Sequence, residues 1–193
     1  MPSTRNLDAE AASGFADAVI CDVDGTLCDV RSIRHFVERP PGVRKFKADF
    51  HRFHSESLYS PAHDAVVQFV RRCRATGLTV LIVSGREARW SGLTATWLAK
   101  HEVEYDEMFL RPRSDYRPDA VVKAEIRQLI TRRFKPRLAI DDRAEIIEVW
   151  QAAAIPTSQV TEDGELMPIA WPSGLQRDPN LEALLIGRNL GAK

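Results

Sequence analysis

The chain has 193 residues, 44% of them hydrophobic and 28% charged, with a formal net charge of zero. That length and balance fit one globular domain with room for a small insert, exclude a protein basic enough to coat nucleic acid non-specifically, and leave no apolar run long enough to span a bilayer. Its three cysteines, Cys21, Cys28 and Cys73, are odd in number and lack metal-ligand spacing, which points to reduced thiols and a cytoplasmic setting.

Residues 1–17 are polar and small, carry no signal-peptide core and are expected to form a flexible arm. Ala18–Cys21 reads as a short buried strand, closed by Gly25. The stretch from there to Ser60 is too long for an ordinary connection. Pro40-Pro41-Gly42 divides it, and Phe46, Phe50 and Phe53 at helical spacing predict a short helix after the break. Residues 29–60 are therefore expected to be a small helical insert, or cap, placed after the first strand. From Pro61 to Thr76 a helix is predicted, with Val66, Val67, Phe69, Val70 and Cys73 on one face and Gly77 as its stop. Thr79–Val83 is a strand ended by Ser84-Gly85. A helix from Glu87 to Lys100 turns Trp90, Leu93, Trp97 and Leu98 inward, and Glu107–Leu110 is a short strand.

Asp119 is placed to cap a helix reaching Arg133, with Val122, Ile126, Leu129 and Ile130 inward. Arg137–Ile140 is a strand ended by Asp141-Asp142, a helix runs through Ile146, Ile147, Val149 and Trp150, and Ile155–Val160 is the last strand. Residues 170–193 form a tail whose apolar stretch Leu181–Ile186 either docks as a helix or stays mobile. The alternation predicts an α/β fold: a three-layer, Rossmann-like, mainly parallel sheet with helices on both faces, spanning 18–169. In such sheets ligands bind beyond the carboxyl ends of the strands. Three predicted strands end there in Asp22, in Ser84 and in Asp141-Asp142, so their polar groups converge on one edge.

The chemistry starts at Asp22-Val23-Asp24-Gly25-Thr26. Side chains alternate along a strand, so Asp22 and Asp24 leave on the same side. One can attack phosphorus while the other handles the leaving group's proton. A calcium loop would need further acidic residues at alternating positions, which Thr26, Leu27 and Cys28 do not supply. A carboxylate attacks an anionic phosphate only when charge is neutralised, which calls for Mg²⁺ held by Asp22 with Asp141 or Asp142. Ser84 can donate to a phosphoryl oxygen, Lys123 adds positive charge to the same oxygens, and Asp24 can protonate the leaving alkoxide and then activate water. Local charge is uneven: Arg31 to His54 holds seven Lys/Arg against two acidic residues, and Arg111 to Arg137 holds nine against three. Such patches can steer an anionic ligand although the total is zero.

These four stations resemble the motifs of the haloacid dehalogenase superfamily of phosphotransferases over about residues 18 to 160. The resemblance implies a covalent aspartyl-phosphate route with Asp22 as nucleophile and Asp24 as acid and base. It also implies Mg²⁺ held by Asp22, the Asp24 backbone carbonyl and Asp141 or Asp142. A carboxylate at Asp24 argues against the dehalogenases, because a leaving halide needs no proton. Val83-Ser84-Gly85-Arg86, Arg111, the run Asp119 to Ile126 and the run Leu138 to Arg143, continued through Ile147-Glu148-Val149-Trp150, are more closely similar to the 3′-phosphatase domains of the polynucleotide kinase/phosphatase family. That likeness implies functional roles for Asp22, Asp24, Arg86, Asp119, Asp141 and Asp142, and places Arg111 and Lys123 at the site. An arginine also follows the first motif there; Arg31 and Arg34 flank its place out of register, and Arg34 joins Thr26, Ser84, Gly85, Arg86, Arg111 and Asp119 as a candidate substrate contact.

The implied substrate is a phosphorylated nucleotide or nucleic acid end, with no membrane and no separate protein partner indicated. The same motifs serve a phosphatase of another small metabolite, such as a nucleoside 5′-monophosphate; a third reading is an end-binding module with little catalysis. No Gly-x-x-x-x-Gly-Lys-Ser/Thr run occurs, so no kinase activity is expected of this chain. His51-x-x-His54 has metal spacing but no third ligand, and His35, His63 and His101 read as surface or packing residues. Tyr116, between Arg113 and Arg117, is a candidate to stack on a base.

Overall fold

Apolar side chains alternate along the three central strands, and the two halves of that alternation build separate cores on the two faces of one sheet. The computed structural model describes residues 14–187. Five strands, β1 (Ala16–Cys21), β2 (Thr79–Glu87), β3 (Glu107–Arg111), β4 (Phe134–Asp141) and β5 (Thr157–Gln159), are all parallel and lie in the order β3-β2-β1-β4-β5. Six helices connect and flank them: α1 (Phe50–Ser57), α2 (Asp64–Ala75), α3 (Ser91–Lys100), α4 (Asp119–Thr131), α5 (Ala144–Gln151) and α6 (Pro179–Leu185).

Val19 and Cys21, Val80 and Ile82, Leu138 and Ile140 point to one face, where they meet Phe53 of α1, Phe69 of α2, Trp97 of α3 and Leu181 of α6. Ala18 and Ile20, Leu81 and Val83, and Ala139 point to the other, against Val122, Ile126 and Ile130 of α4 and Ile146 and Trp150 of α5. A strand buried on both faces requires such a continuous apolar run. Helices therefore cover both faces, as the sequence predicts. Because the strands are parallel, the ends of β1, β2 and β4 open on the same edge, which is where the polar residues lie.

Several boundaries differ from the sequence-based expectation. Ala16 and Asp17 belong to β1 rather than to a flexible arm, held by pairing with Phe134 and Lys135 of β4; residues 1–13 of that arm lie outside the described residues. β4 correspondingly starts at Phe134, not Arg137, and its ladder shifts register where Ala18 pairs with Pro136 and Val19 with Leu138. Proline has no N–H to give the ladder, which suits it to such an irregularity. β2 runs on to Glu87, with Gly85 and Arg86 outside the pairing between Ser84–Leu110 and Glu87–Arg111. The helix expected from Glu87 accordingly begins at Ser91, after a 3-10 turn at Ala88–Trp90, and Trp90 is only half-buried while Trp97 is fully buried.

In the insert, Asp49 accepts a hydrogen bond from the Arg52 N–H at 2.9 Å and fixes the start of α1 at Phe50, so Phe46 lies outside the helix. In α4, the buried stripe is Val122, Ile126 and Ile130; Leu129, expected inward, is 51% exposed on the rim of a shallow groove beside α3. Asp119 is the first residue of α4, not its side-chain cap; arginines engage it instead. The tail docks: Leu181 and Leu184 are buried, and Arg72 Nε donates to the Leu184 carbonyl at 2.8 Å. Residues 188–193 lie outside the described residues. No helix among the described residues is long and apolar enough to cross a membrane.

Candidate active site

The chain leaves β1 still attached to β4, with Asp22 N–H donating to the Ile140 carbonyl at 3.1 Å. It then folds into a tight loop: the Val23 carbonyl accepts from Cys28 N–H at 2.7 Å and Gly25 N–H donates to the Cys28 carbonyl at 2.9 Å. Gly25 sits at φ +85°, and a Cβ there would lie 2.3 Å from Asp142 Oδ2. Both the left-handed backbone and the close approach require glycine. Gly25→Ala is expected to cost about 1–2 kcal/mol in backbone strain, lowering Tm by about 2–8 °C, and to push the Asp142 carboxylate out of place. A thermal melt superimposable on that of the unsubstituted protein would contradict this.

Asp22, Asp141 and Asp142 each offer an oxygen within 4.8 Å of the others. Lys123 Nζ, which reaches in from the second turn of α4, donates at 2.7 Å to both Asp22 Oδ1 and Asp141 Oδ2. Lys123 is only 1% exposed. Burial opposes its charge, but Asp141 and Asp22 outweigh burial and hold it protonated well above its ordinary value. One ammonium cannot balance three carboxylates. Burial first and then the Asp22 charge raise the carboxyls of Asp141 and Asp142 above their ordinary range, Asp142 adds to the rise at Asp141, and Lys123 only partly offsets it.

Asp24 stands in the opposite setting. Arg86 Nε and Nη2 donate to its two oxygens at 2.8 and 2.5 Å, a two-pronged pair. Burial opposes ionisation of Asp24, but the Arg86 charge and hydrogen bonds win and hold its carboxyl below the ordinary value. The Arg86 guanidinium is itself buried and fixed by Thr94 Oγ1 of α3 at 3.1 Å. Ser84 Oγ accepts the Arg86 N–H at 3.3 Å, which leaves its hydroxyl hydrogen to donate.

A third cluster surrounds Asp119. Arg111 Nη2 donates to its Oδ1 at 2.9 Å, Arg143 Nη2 donates to its Oδ2, and Lys123 Nζ lies 3.8 Å away. Gly85 makes this possible, since a Cβ there would fall 2.5 Å from Asp119 Oδ1. Over these clusters opens a cleft of about 810 Å³, with Asp22, Asp24, Ser84, Arg86 and Asp142 on its surface. A carboxylate beside an ammonium and a second carboxylate gripped by a guanidinium thus reach one cavity.

The family profile of the polynucleotide kinase PNKP phosphatase domain, a haloacid dehalogenase (HAD) phosphatase, matches residues 16–164. The chain belongs to this family. Two solved structures of the Pnkp1/Rnl/Hen1 assembly, one described as an RNA repair complex, are similar to this PNKP-type phosphatase domain. They show 26% and 25% identity over 76% and 83% of this chain, with TM-scores of 0.59 and 0.61. The chain spans about half or less of their length, 43% and 51%. The class C acid phosphatase from Bacillus anthracis shares the fold at 11% identity, with a TM-score of 0.54 over 94% of this chain and 76% of that one.

Of the residues singled out in the sequence, Asp22, Asp24, Ser84, Gly85, Arg86, Arg111, Asp119, Asp142 and Arg34 line the cleft, while Lys123 and Asp141 are buried beneath it. Thr26, expected among the substrate contacts, is fully buried and donates to Asp142 Oδ1 at 3.4 Å, so it orients that carboxylate. Arg34 reaches the cleft already paired with Glu162 at 3.0 Å and Glu38 at 3.5 Å. The Asp24 carboxylate lies outside the acidic cluster and on Arg86. Sequence reasoning gave no role to Thr94, Arg143 or Glu162. Arg143 carried a signal, a cation directly after Asp141-Asp142; Thr94 and Glu162 carried none.

Proposed function

We propose that the chain is a Mg²⁺-dependent phosphomonoesterase that removes the 3′-phosphate from a nucleotide or nucleic acid end through an aspartyl phosphate on Asp22. The observation that carries this reading is the contrast between Asp22 on Lys123 and Asp24 on Arg86 in one cleft. Environments that differ this way give two carboxylates different jobs.

An Asp22 oxygen attacks phosphorus as the ester P–O bond breaks, and the leaving 3′-alkoxide takes a proton from the Asp24 carboxyl. In the substrate-free protein Arg86 keeps Asp24 ionised. A phosphate entering beside Arg86 competes for the guanidinium, so Asp24 takes up a proton from solvent as substrate binds and returns one to solvent as the products leave. Asp24 then takes a proton from water, whose oxygen attacks the phosphoryl group and releases inorganic phosphate and the Asp22 carboxylate. Ser84 and Lys123 donate to oxygens that gain charge during the transfer.

The residues fit a hard divalent cation. Three carboxylates offer only oxygen, they gather within 4.8 Å, and two have their carboxyls pushed upward, as expected where negative charge is under-compensated. Asp22, Asp141 and Asp142, with the Asp24 backbone carbonyl, would hold Mg²⁺. When bound, the ion offsets the repulsion between the phosphate and the attacking carboxylate. Three buried, unpaired thiols fit a reducing compartment such as the cytoplasm.

Support for a 3′ end comes from the PNKP-type family and from Arg86 and Arg111 at the cleft. The test is a panel of phosphate esters assayed with Mg²⁺ and with chelator. A 3′-phosphorylated oligonucleotide is expected to be hydrolysed at least about tenfold faster than nucleoside 5′-monophosphates or sugar phosphates, a difference of about 1.4 kcal/mol in transition-state binding. Chelation is expected to abolish turnover of all of them. Equal rates on 3′- and 5′-phosphates would overturn the 3′-end reading, and turnover undiminished by chelator would overturn the metal.

A further inference from the structure

The sheet has two edges, and the chain covers only one of them. Along β5, Thr157 exchanges hydrogen bonds with Ala170 at 3.1 and 2.7 Å, and Met167 N–H donates to the Gln159 carbonyl at 2.9 Å. Nothing comparable lies along β3, on the far side of the active-site strands. Among the described residues, no hydrogen bond outside its ladder with β2 involves the backbone of Glu107–Arg111. Natural sheets guard an open edge with lysine, proline or a cover. β3 reads Glu-Met-Phe-Leu-Arg and has none of these, although helices flank both its faces. It is the floor of the shallow groove whose sides are Gly92 and Ala95 of α3 and Ile126 and Leu129 of α4.

The ladder fixes which backbone groups of β3 are free. Val80 faces β3, since its carbonyl accepts Asp106 N–H at 2.9 Å and its own N–H donates to Asp106 Oδ2 at 2.7 Å. Backbone groups alternate sides along a strand, so Ile82 and Ser84 face β3 as well. Glu107 stands opposite Leu81 and Phe109 opposite Val83, so these two residues bond to the β2 residues on either side of their opposite numbers. Met108 and Leu110 therefore turn N–H and C=O outward. The free row stops on either side of them: Asp106 gives its N–H to Val80, and Pro112 has no N–H to give.

One antiparallel register satisfies both outward residues completely. It sets Met108 and Leu110 each opposite an outward residue of the incoming strand, and β3 reversed is such a strand. We propose that β3 pairs antiparallel with β3 of a second copy of this chain, about a two-fold axis through Phe109, so that two sheets become one. Met108 of each copy exchanges two hydrogen bonds with Leu110 of the other, and the two Phe109 side chains form the close pair between them. The two ends of β3 carry opposite charges, so reversal sets Glu107 opposite Arg111 and faces no like charges. Both groups keep their intrachain partners, Arg133 and Asp119, so this complementarity orients the copies without forming new ion pairs. Leu129, left half-exposed on the groove wall, is covered when a second copy fills the groove. The strands of the two copies then run in opposite directions, and their clefts open at opposite edges with neither blocked.

The test is the mass of the full chain in solution by light scattering, at about 100 µM, where a dimer of micromolar Kd is almost fully formed. Twice the chain mass is expected. Glu107→Lys sets like charges opposite each other and is expected to raise the dimer Kd about fivefold or more. The register is read by oxidising cysteine variants with copper–phenanthroline. Phe109→Cys is expected to give a covalent dimer, because the Cα atoms of the central pair lie about 4.5 Å apart, within reach of a disulfide. Leu110→Cys is expected to stay a single chain, because its two copies lie on a diagonal of about 7–8 Å. The native thiols are all buried and do not compete. Single-chain mass for the wild type overturns the proposal and leaves the edge to a strand of another protein. A dimer that Glu107→Lys leaves unchanged, or one in which Phe109→Cys fails to cross-link, overturns it as well.

Discussion

Asp22→Asn is expected to abolish turnover, by at least about 10⁴-fold in kcat, while leaving the fold intact. Asparagine matches the shape of aspartate, and its amide oxygen can still accept from Lys123 Nζ, which lies 2.7 Å from Asp22 Oδ1. Lys123 also keeps its second anchor on Asp141. The substitution removes one negative charge from a cluster whose other two carboxyls are already pushed upward. The metal-free variant should therefore melt no lower than the parent, and can melt higher. The pairing of a lost rate with an unchanged melt separates the nucleophile from a structural aspartate. A variant that hydrolyses phosphate esters as fast as the parent would remove Asp22 from the chemistry.

Lys123→Ala is expected to have the largest effect on stability. Lys123 is the buried cation that joins Asp22 to Asp141, and removing it leaves two buried carboxylates facing each other without compensation. Breaking such a buried pair by removing one partner costs about 3–5 kcal/mol. In a chain of this size that lowers Tm by about 6–20 °C. Raised pH should aggravate the loss, because the carboxyls of Asp141 and Asp142, pushed up by burial, ionise as pH rises and no ammonium then offsets their charge. Added Mg²⁺ should restore more Tm to this variant than to the parent, since the ion supplies charge at the same oxygens. Turnover is expected to be lost as well. A Tm within about 2 °C of the parent would mean that Lys123 is not a structural counter-ion.

The fold was legible where a local pattern decides it. The alternation of Val19 and Cys21 against Ala18 and Ile20 needs only the period of a strand and two apolar faces, and both cores follow from it. The polar stations were legible because parallel strands bring their ends to one edge, so Asp22, Ser84 and Asp141-Asp142 meet without any knowledge of contacts. What the sequence withheld depends on partners far away in the chain. Arg86 belongs to Asp24, 62 residues before it, and nothing near Arg86 announces the pair. Arg143 turns back 24 residues to Asp119, and Asp119, read as a helix cap, is instead the hub of Arg111 and Arg143. Leu129 failed because a stripe of i, i+4 positions at Val122, Ile126 and Ile130 already fills the contact with the sheet, leaving the adjacent position in water. The strand ends moved for a similar reason: Ala16 and Phe134 extend each other, a pairing that neither segment shows alone.

The most direct test of the account is the trapping of phosphorus on the protein. The unsubstituted enzyme, mixed with Mg²⁺ and a strand carrying a labelled 3′-phosphate, is quenched in acid within the first turnover and digested, and the labelled peptide is sequenced by mass spectrometry. The account predicts one labelled residue, Asp22, with the label lost on chase with unlabelled substrate and absent from Asp22→Asn. Label on another residue, or full turnover with no labelled peptide at any quench time, would contradict it.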